Sequence, residues 1–247
     1  MYAKCDDLEK AQLVVDELPI QDLVSWNSLI SGYAHHGHNE GVLKCFKQMR
    51  RDGFLPNDIT FTCILKACGI TRSICKGKEI HKKIVSKGLL DKDPTLGSAL
   101  VDMYVQCGDL SKAQQVLKDL PIRNVTAWST LISGYAQQGQ NREVLNCFER
   151  MQSEGLCPDA VTYAFILKAC SSTKDIEKGK QIHDMIVSRG LLVKDIVLGT
   201  ALVDMYAKCG VIAYAQDVLE QLPARGVVSW NALITGYAQY DRCNEAW

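Results

Sequence analysis

The chain has 247 residues, 47% of them hydrophobic, with 28 Lys or Arg against 28 Asp or Glu and no net charge. A neutral balance counts against a protein whose affinity for a polyanion comes from one broad basic surface, and points any nucleic-acid binding to a local groove, hydrogen bonds and stacking. No apolar run approaches the ~20 residues of a membrane-spanning helix, and few aromatics and only six prolines lean towards helix rather than an all-β fold.

Reading along the chain, one block keeps returning. Trp26-Asn27-Ser28-Leu29-Ile30-Ser31-Gly32-Tyr33-Ala34 recurs from Trp128 to Ala136 and again from Trp230 to Ala238, each time after 102 residues. Ile64 to Cys68 returns at Ile166 to Cys170, and Lys76 to His81 returns at Lys178 to His183. Ser98 to Tyr104 returns, with Thr in the first place, at Thr200 to Tyr206. Self-similarity at a fixed step is the mark of a repeat architecture.

The 102-residue unit is itself threefold. Leu29-Ile30-x-x-Tyr33, Leu65-x-x-Cys68 and Leu100-Val101-x-x-Tyr104 are variants of one pattern, each in a first helix. Three second helices follow, on Val42-Leu43-x-x-Phe46-x-x-Met49, Ile80-x-x-x-Ile84-Val85 and Ala113-x-x-Val116-Leu117. Apolar residues at i, i+3, i+4 and i+7 are the helical period. Gly37, Gly53, Gly88, Gly108, Gly139, Gly155 and Gly190 sit at the expected helix ends, and Pro56, Pro121, Pro158 and Pro223 just after second helices. The boundaries are a partial repeat 1–22, repeats 23–57, 58–93, 94–124, 125–159, 160–195 and 196–226, and a partial repeat 227–247. The full repeats are 35, 36 or 31 residues long. Each hairpin has one apolar face, buried only by its neighbours, so the whole chain reads as a single repeat array. Met1 to Cys5 matches Met205 to Cys209, inside a longer repeat, and Trp247 falls part-way through another. Both ends therefore read as cuts, and the chain as a fragment.

Other signals are weaker than they look. The 11 cysteines include no Cys-x-x-Cys; Cys5, Cys107 and Cys209, Cys45 and Cys147, and Cys68 and Cys170 keep the repeat step. They read as small side chains in recurring packing slots, in a reducing compartment. His35-His36-Gly37-His38 resembles a metal cluster, but its counterpart is Gln137-Gln138-Gly139-Gln140, so it reads as a polar turn. His38-x-Glu40 is half of a zinc-deaminase signature without the Pro-Cys-x-x-Cys half. Lys-Gly-Lys at 76 and 178 lacks phosphate-loop spacing. Trp26, Trp128 and Trp230 read as core, and His81 and His183 as packing or groove-lining residues. Nothing assembles a nucleophile, base, metal or cofactor, so no enzyme is expected.

The blocks Val24 to Ala34, Gly77 to His81 and Ala99 to Gly108, on hairpins of three alternating lengths, resemble the pentatricopeptide repeat family. The resemblance is specifically to its land-plant class of P, L and S motifs. It implies an all-α, right-handed superhelical solenoid of antiparallel helix-turn-helix repeats that binds single-stranded RNA, about one base per repeat. It further implies a mitochondrial or chloroplast setting, with work in RNA processing or C-to-U editing as the target-recognition array. Editing factors or a deaminase would then be supplied in trans. Carried onto this chain, the base-reading pairs are Asn27 with Asn57, Ser98 with Asn124, Ser129 with Asp159 and Thr200 with Gly226. Asn231 and Asp22 each lack a partner. The L-type motifs offer Thr62 with Asp93 and Ala164 with Asp195. Base-sandwiching residues would be Val24, Ile59, Thr95, Thr126, Val161, Val197 and Val228. The implied target is 5′-pyrimidine-any-A-G-any-purine-pyrimidine-3′. Taken singly, Asn, Ser and Asp beside helix ends are ordinary caps; their register across repeats favours base reading. The competing readings are a protein-binding helical scaffold and a truncated, non-functional fragment.

Overall fold

The computed structural model describes residues 22–91, 94–192 and 195–240, together with 10, 12, 13 and 15. From Leu23 onward the described chain is thirteen helices and their connections. They are α1 (Leu23–His35), α2 (Asn39–Arg51), α3 (Asp58–Ile70), α4 (Ile74–Ser86), α5 (Pro94–Gln106), α6 (Leu110–Asp119) and α7 (Val125–Gln137). There follow α8 (Asn141–Ser153), α9 (Ala160–Thr173), α10 (Ile176–Ser188), α11 (Ile196–Lys208), α12 (Ile212–Gln221) and α13 (Val227–Gln239). The chain forms two compact units, residues 1–131 and 132–247, and the division falls within α7.

In the first unit α1 packs against α2 and α3, α3 against α4 and α5, and α5 against α4 and α6. First helices therefore lie side by side in one row, and second helices cover that row on one side. This explains the difference in their sequences. A first helix meets neighbours along its length on several sides, so α3 buries Phe61, Ile64, Leu65, Ala67 and Cys68. A second helix buries only one stripe, such as Val42, Cys45, Phe46 and Met49 of α2, and leaves the rest to charged residues. Each fully buried Leu, Ile or Phe contributes about 1.5–3 kcal/mol, which is what holds hairpins too small to stand alone.

The second unit repeats the plan. There α9 packs against α8, α10 and α11, and α11 against α10, α12 and α13. The glycine of the recurring Gly-Tyr-Ala block has a steric reason in α13. A Cβ on Gly236 would sit 2.8 Å from the Cβ of Ala207 and 3.3 Å from its Cα, so the missing side chain sets how closely α13 approaches α11. The turn glycines have a different reason: Gly37 and Gly139, between first and second helices, adopt φ of +75° and +69°, where a Cβ is strained.

Trp26 and Trp128 are buried, as core aromatics should be, but Trp230 is 45% exposed. In the first unit α1 is covered by the two helices that follow it; α13 is the last described helix, so the same face of Trp230 has no described cover. His81 and His183 each place Nδ1 2.9 Å from a tyrosine hydroxyl of the next first helix, Tyr104 and Tyr206. Burial pushes both imidazoles below their ordinary pKa. The residues of the partial repeat before Asp22 lie almost entirely outside the described residues, as does Asp93.

Candidate nucleic-acid interface

The seven sandwich positions share one place in the fold. Val24, Ile59, Thr95, Thr126, Val161, Val197 and Val228 are each the second residue of a first helix. Asn27, Thr62, Ser98, Ser129, Ala164, Thr200 and Asn231 are each the fifth. Residues three apart in a helix share a face, so each repeat presents one sandwich position beside one reading position. The five aliphatic members are 56–70% exposed, an unusual state for Val and Ile, while Thr95 and Thr126 are also exposed.

The partner positions precede the next first helix, and most act as its cap. Asn57 Oδ1 accepts from Thr60 N at 3.1 Å, Asn124 Oδ1 from Ala127 N at 2.9 Å, and Asp159 Oδ1 from Thr162 N at 2.8 Å. Asp22 and Asp195 cap α1 and α11 in the same way. Asp22, held by the Ser25 hydroxyl and backbone N–H, has its carboxyl below the usual carboxylate range.

Capping and presenting a polar group to solvent are compatible, because the cap consumes one side-chain oxygen. The backbone N–H demands an oxygen at that point, which orients the amide. An Asn then has its Nδ2 donor left, and an Asp has its second oxygen, an acceptor. The fold therefore turns the choice between Asn and Asp into a choice between donor and acceptor.

Within the first unit two of the paired positions meet. Asn27 Nδ2 donates to Asn57 Oδ1 at 3.2 Å. Thr60 Oγ1, with one proton to give, lies 2.5 Å from Asn27 Oδ1 and 2.9 Å from Asn57 Oδ1. Ser98 Oγ donates to Asn124 Oδ1 at 3.0 Å or to Pro94 O at 3.1 Å. In the second unit Thr200 meets no side chain from Gly226, which has none; its Oγ1 lies 2.8 Å from Ser229 Oγ instead. Ser129 and Asp159 belong to different units; Ser129 Oγ is buried without a hydrogen-bond partner. Thr62 Oγ1 donates back to Asp58 O at 2.9 Å, and its assigned partner Asp93 is outside the described residues. Ala164 offers no hydrogen-bonding side chain to Asp195. Asn231 is exposed.

Thr60 and Ser229 are site residues that the pairwise reading missed. Both occupy the third helical position after the cap, where a hydroxyl can reach the preceding repeat's reading residue. The Asn57-x-x-Thr60 spacing, which closes a capping box, was the available signal. Among the described residues no group of three His, Cys, Asp or Glu side chains is gathered as a metal site. His36 caps α1 and Gly37 makes the turn, so the histidine run is a helix connection. Burial pushes the Cys68, Cys147 and Cys170 thiols up to about 11, about 12 and about 12, which keeps them protonated and unreactive in their packing slots.

Known proteins share this arrangement. The PPR repeat family model matches residues 21–69 and 123–172, and a PPR repeat model matches 98–125 and 228–247. A putative mitochondrial pentatricopeptide repeat-containing protein of Arabidopsis thaliana is 40% identical over 239 residues, 97% of this chain and 38% of the relative. A chloroplastic protein of the same kind and organism is 36% identical over 246 residues, 100% of this chain and 40% of the relative. The chain thus spans well under half the length of these curated relatives. Among solved structures, the pentatricopeptide repeat protein PPR10 in complex with an 18-nt psaJ RNA element has a TM-score of 0.78 at 21% identity. That likeness covers 98% of this chain and 37% of the other, and the two share an all-helical solenoid fold.

Proposed function

The chain belongs to the pentatricopeptide repeat family, and from that premise we propose that it binds single-stranded RNA by reading base edges one repeat at a time. The observation that carries this reading is the contact of Asn27 with Asn57 and of Ser98 with Asn124, at 3.2 and 3.0 Å. Residues 26 to 30 positions apart in sequence are brought side by side at the same place in two repeats, beside exposed Val24 and Ile59 in the first case and exposed Thr95 and Thr126 in the second. Capping alone requires Asn57 and Asn124 but neither Asn27 nor Ser98. The aliphatic position gives a base a surface to lie against, and the polar pair meets its Watson–Crick edge.

On this reading Asn27 with Asn57 and Asn231 take pyrimidines, Ser98 with Asn124 takes A, Ser129 with Asp159 takes G, and Thr200 takes a purine. Thr62 with Asp93 and Ala164 with Asp195 impose little. The target is 5′-pyrimidine-any-A-G-any-purine-pyrimidine-3′. The chain is the recognition array of a longer protein of the P, L and S class, acting on organelle transcripts. It has no catalytic role itself; C-to-U chemistry, where it follows, comes from a deaminase supplied in trans. The names of the relatives, mitochondrial and chloroplastic, support an organelle setting.

The test is fluorescence-anisotropy binding to a single-stranded RNA carrying this core, against a scrambled RNA of the same composition. A tenfold preference for the core is expected. Equal affinity, or no binding by folded protein, would overturn the proposal and favour a protein partner.

A further inference from the structure

The neutral net charge conceals a strong local imbalance. Between residues 41 and 87 there are eleven Lys or Arg and three Asp or Glu; over the equivalent residues 143–189 there are six and seven. The two stretches have equivalent helices and nearly the same buried positions, differing in one extra residue at the end of α9 and in burial of Leu145 but not Leu43, so the fold does not require the extra cations. They cluster on the second helices of the first unit. Lys44, Lys47 and Arg51 occupy the side of α2 opposite its buried stripe, and Lys76 and Lys82 are exposed on α4. Their equivalents are Asn146, Glu149, Ser153, Lys178 and Asp184.

The acidic groups near these cations are few: Glu40 stands in the first turn of α2, Asp52 follows its last residue and accepts from Gln48 Nε2, Glu79 pairs with Lys83, and Asp109 lies 3.5 Å from Lys78. Rows of like charge at i, i+3 and i+4 repel one another, so this face is held at a cost to its own helices. Second helices cover the row of first helices from one side, so these cations are on different helices from the reading positions.

We propose that this face, built on α2 and α4, is a second RNA-binding surface that takes the sugar-phosphate backbone of an A-form duplex, such as a stem next to the single-stranded target. The chemistry selects this occupant. The face is rich in Lys, a compact point charge suited to phosphate. It exposes no aromatic side chain on which an unpaired base could stack. A duplex hides its bases and is bound through backbone and shape. Protein interfaces, by contrast, are depleted in Lys and centre on aromatic or Arg anchors in apolar pockets. The proposal rests on the preceding reading only in taking RNA as the partner.

The test uses the whole chain and a blunt RNA duplex of about 20 base pairs at about 50 mM salt, where binding to phosphate is strongest. A variant carrying the second stretch's residues, Lys44→Asn, Lys47→Glu, Arg51→Ser and Lys82→Asp, keeps a surface that the same fold already tolerates. Wild type is expected to bind the duplex, and the variant at least tenfold more weakly. The slope of log affinity on log salt should fall by about 0.9 for each phosphate that the variant no longer neutralises. Binding of the single-stranded core RNA should keep its sequence preference. The reverse exchange, Asn146→Lys with Glu149→Lys, Ser153→Arg and Asp184→Lys, should raise duplex affinity, which covers the case of a first variant that fails to fold. No duplex binding by wild type, or equal binding by a folded four-residue variant, would overturn the proposal. So would binding to phosphatidylglycerol vesicles or an acidic peptide in place of the duplex. If duplex binding behaves as expected while the single-stranded core is not preferred over its scramble, the base-reading proposal fails and this one stands.

Discussion

Changing Asn57 to Asp separates its two roles. Asn57 Oδ1 caps α3 through Thr60 N at 3.1 Å and accepts from Asn27 Nδ2 at 3.2 Å. Asp has the same shape, supplies the same oxygen, and adds a negative charge at a helix N-terminus, where it is favourable. Folding stability should therefore change by less than about 0.5 kcal/mol. The outward atom, however, changes from an N–H donor to an oxygen acceptor. A base offering an acceptor, such as C through N3, loses a hydrogen bond, and a base offering a donor, such as U through N3–H, gains one. A discriminating hydrogen bond of this kind is worth about 1–3 kcal/mol, or roughly 5- to 150-fold in relative affinity. The assay is anisotropy binding with two RNAs that differ only in C or U at the first core position, alongside a thermal melt. Asn57→Asp should invert the preference without moving the melt. Asn57→Ala should abolish the preference and cost about 0.5–2 kcal/mol through removal of the cap. A folded Asn57→Asp protein that still prefers C would refute the idea that the cap orients a reading group.

Three further outcomes follow from packing and ionisation. The Tyr163 hydroxyl is buried with no partner, and Phe61 fills the equivalent place in the first unit; Tyr163→Phe should stabilise by about 1 kcal/mol in a urea titration, and destabilisation would show that the hydroxyl is satisfied. Gly236→Ala should destabilise by about 1–3 kcal/mol through the Ala207 contact, less the ~1 kcal/mol that Ala gains in helix propensity; an unchanged or raised melting temperature would mean that α13 can move off α11. His81 and His183 have folded pKa values below the ordinary imidazole value because burial favours the neutral form. Their contribution is thus complete above the unfolded pKa and lost as pH falls through the folded values. Unfolding free energy should drop as pH falls from about 7.5, above the ordinary imidazole pKa, towards the folded values. His81→Asn with His183→Asn should flatten that drop; an unflattened drop would place the sensitivity elsewhere.

Most of the architecture was legible because it is local and repeated. A helix follows from apolar spacing within a dozen residues, and the 102-residue step makes each prediction more than once. The turn glycines were readable for the same reason: Gly37, Gly108 and Gly139 all have positive φ, a need that a single residue carries. The register of Val24 with Asn27, or Ser98 with its helix start, also follows from helix geometry alone. Which atoms would meet did not follow. The family resemblance paired Asn27 with Asn57, but only packing of α1 on α3 brought Thr60 into the same hydrogen-bond network. It also gave Thr200 the hydroxyl of Ser229 where Gly226 has nothing to offer.

Burial is the other quantity that needed the tertiary structure. Trp26 and Trp230 have the same local sequence, yet one is fully buried and the other 45% exposed, because cover comes from neighbouring helices and not from the residue. Tyr163 and Phe61 are equally hidden, and only the packed environment shows that the extra hydroxyl has no partner. The zero net charge counted against a broad basic surface by summation, whereas packing decides which cations lie on which face. The stripe buried on α2 turned Lys44, Lys47 and Arg51 outward together. Sequence by itself determined that the chain is a stack of helical hairpins, since each hairpin's period is written within it. Only the tertiary structure decided which polar groups are paired, orphaned or gathered, since those depend on side chains dozens of residues away.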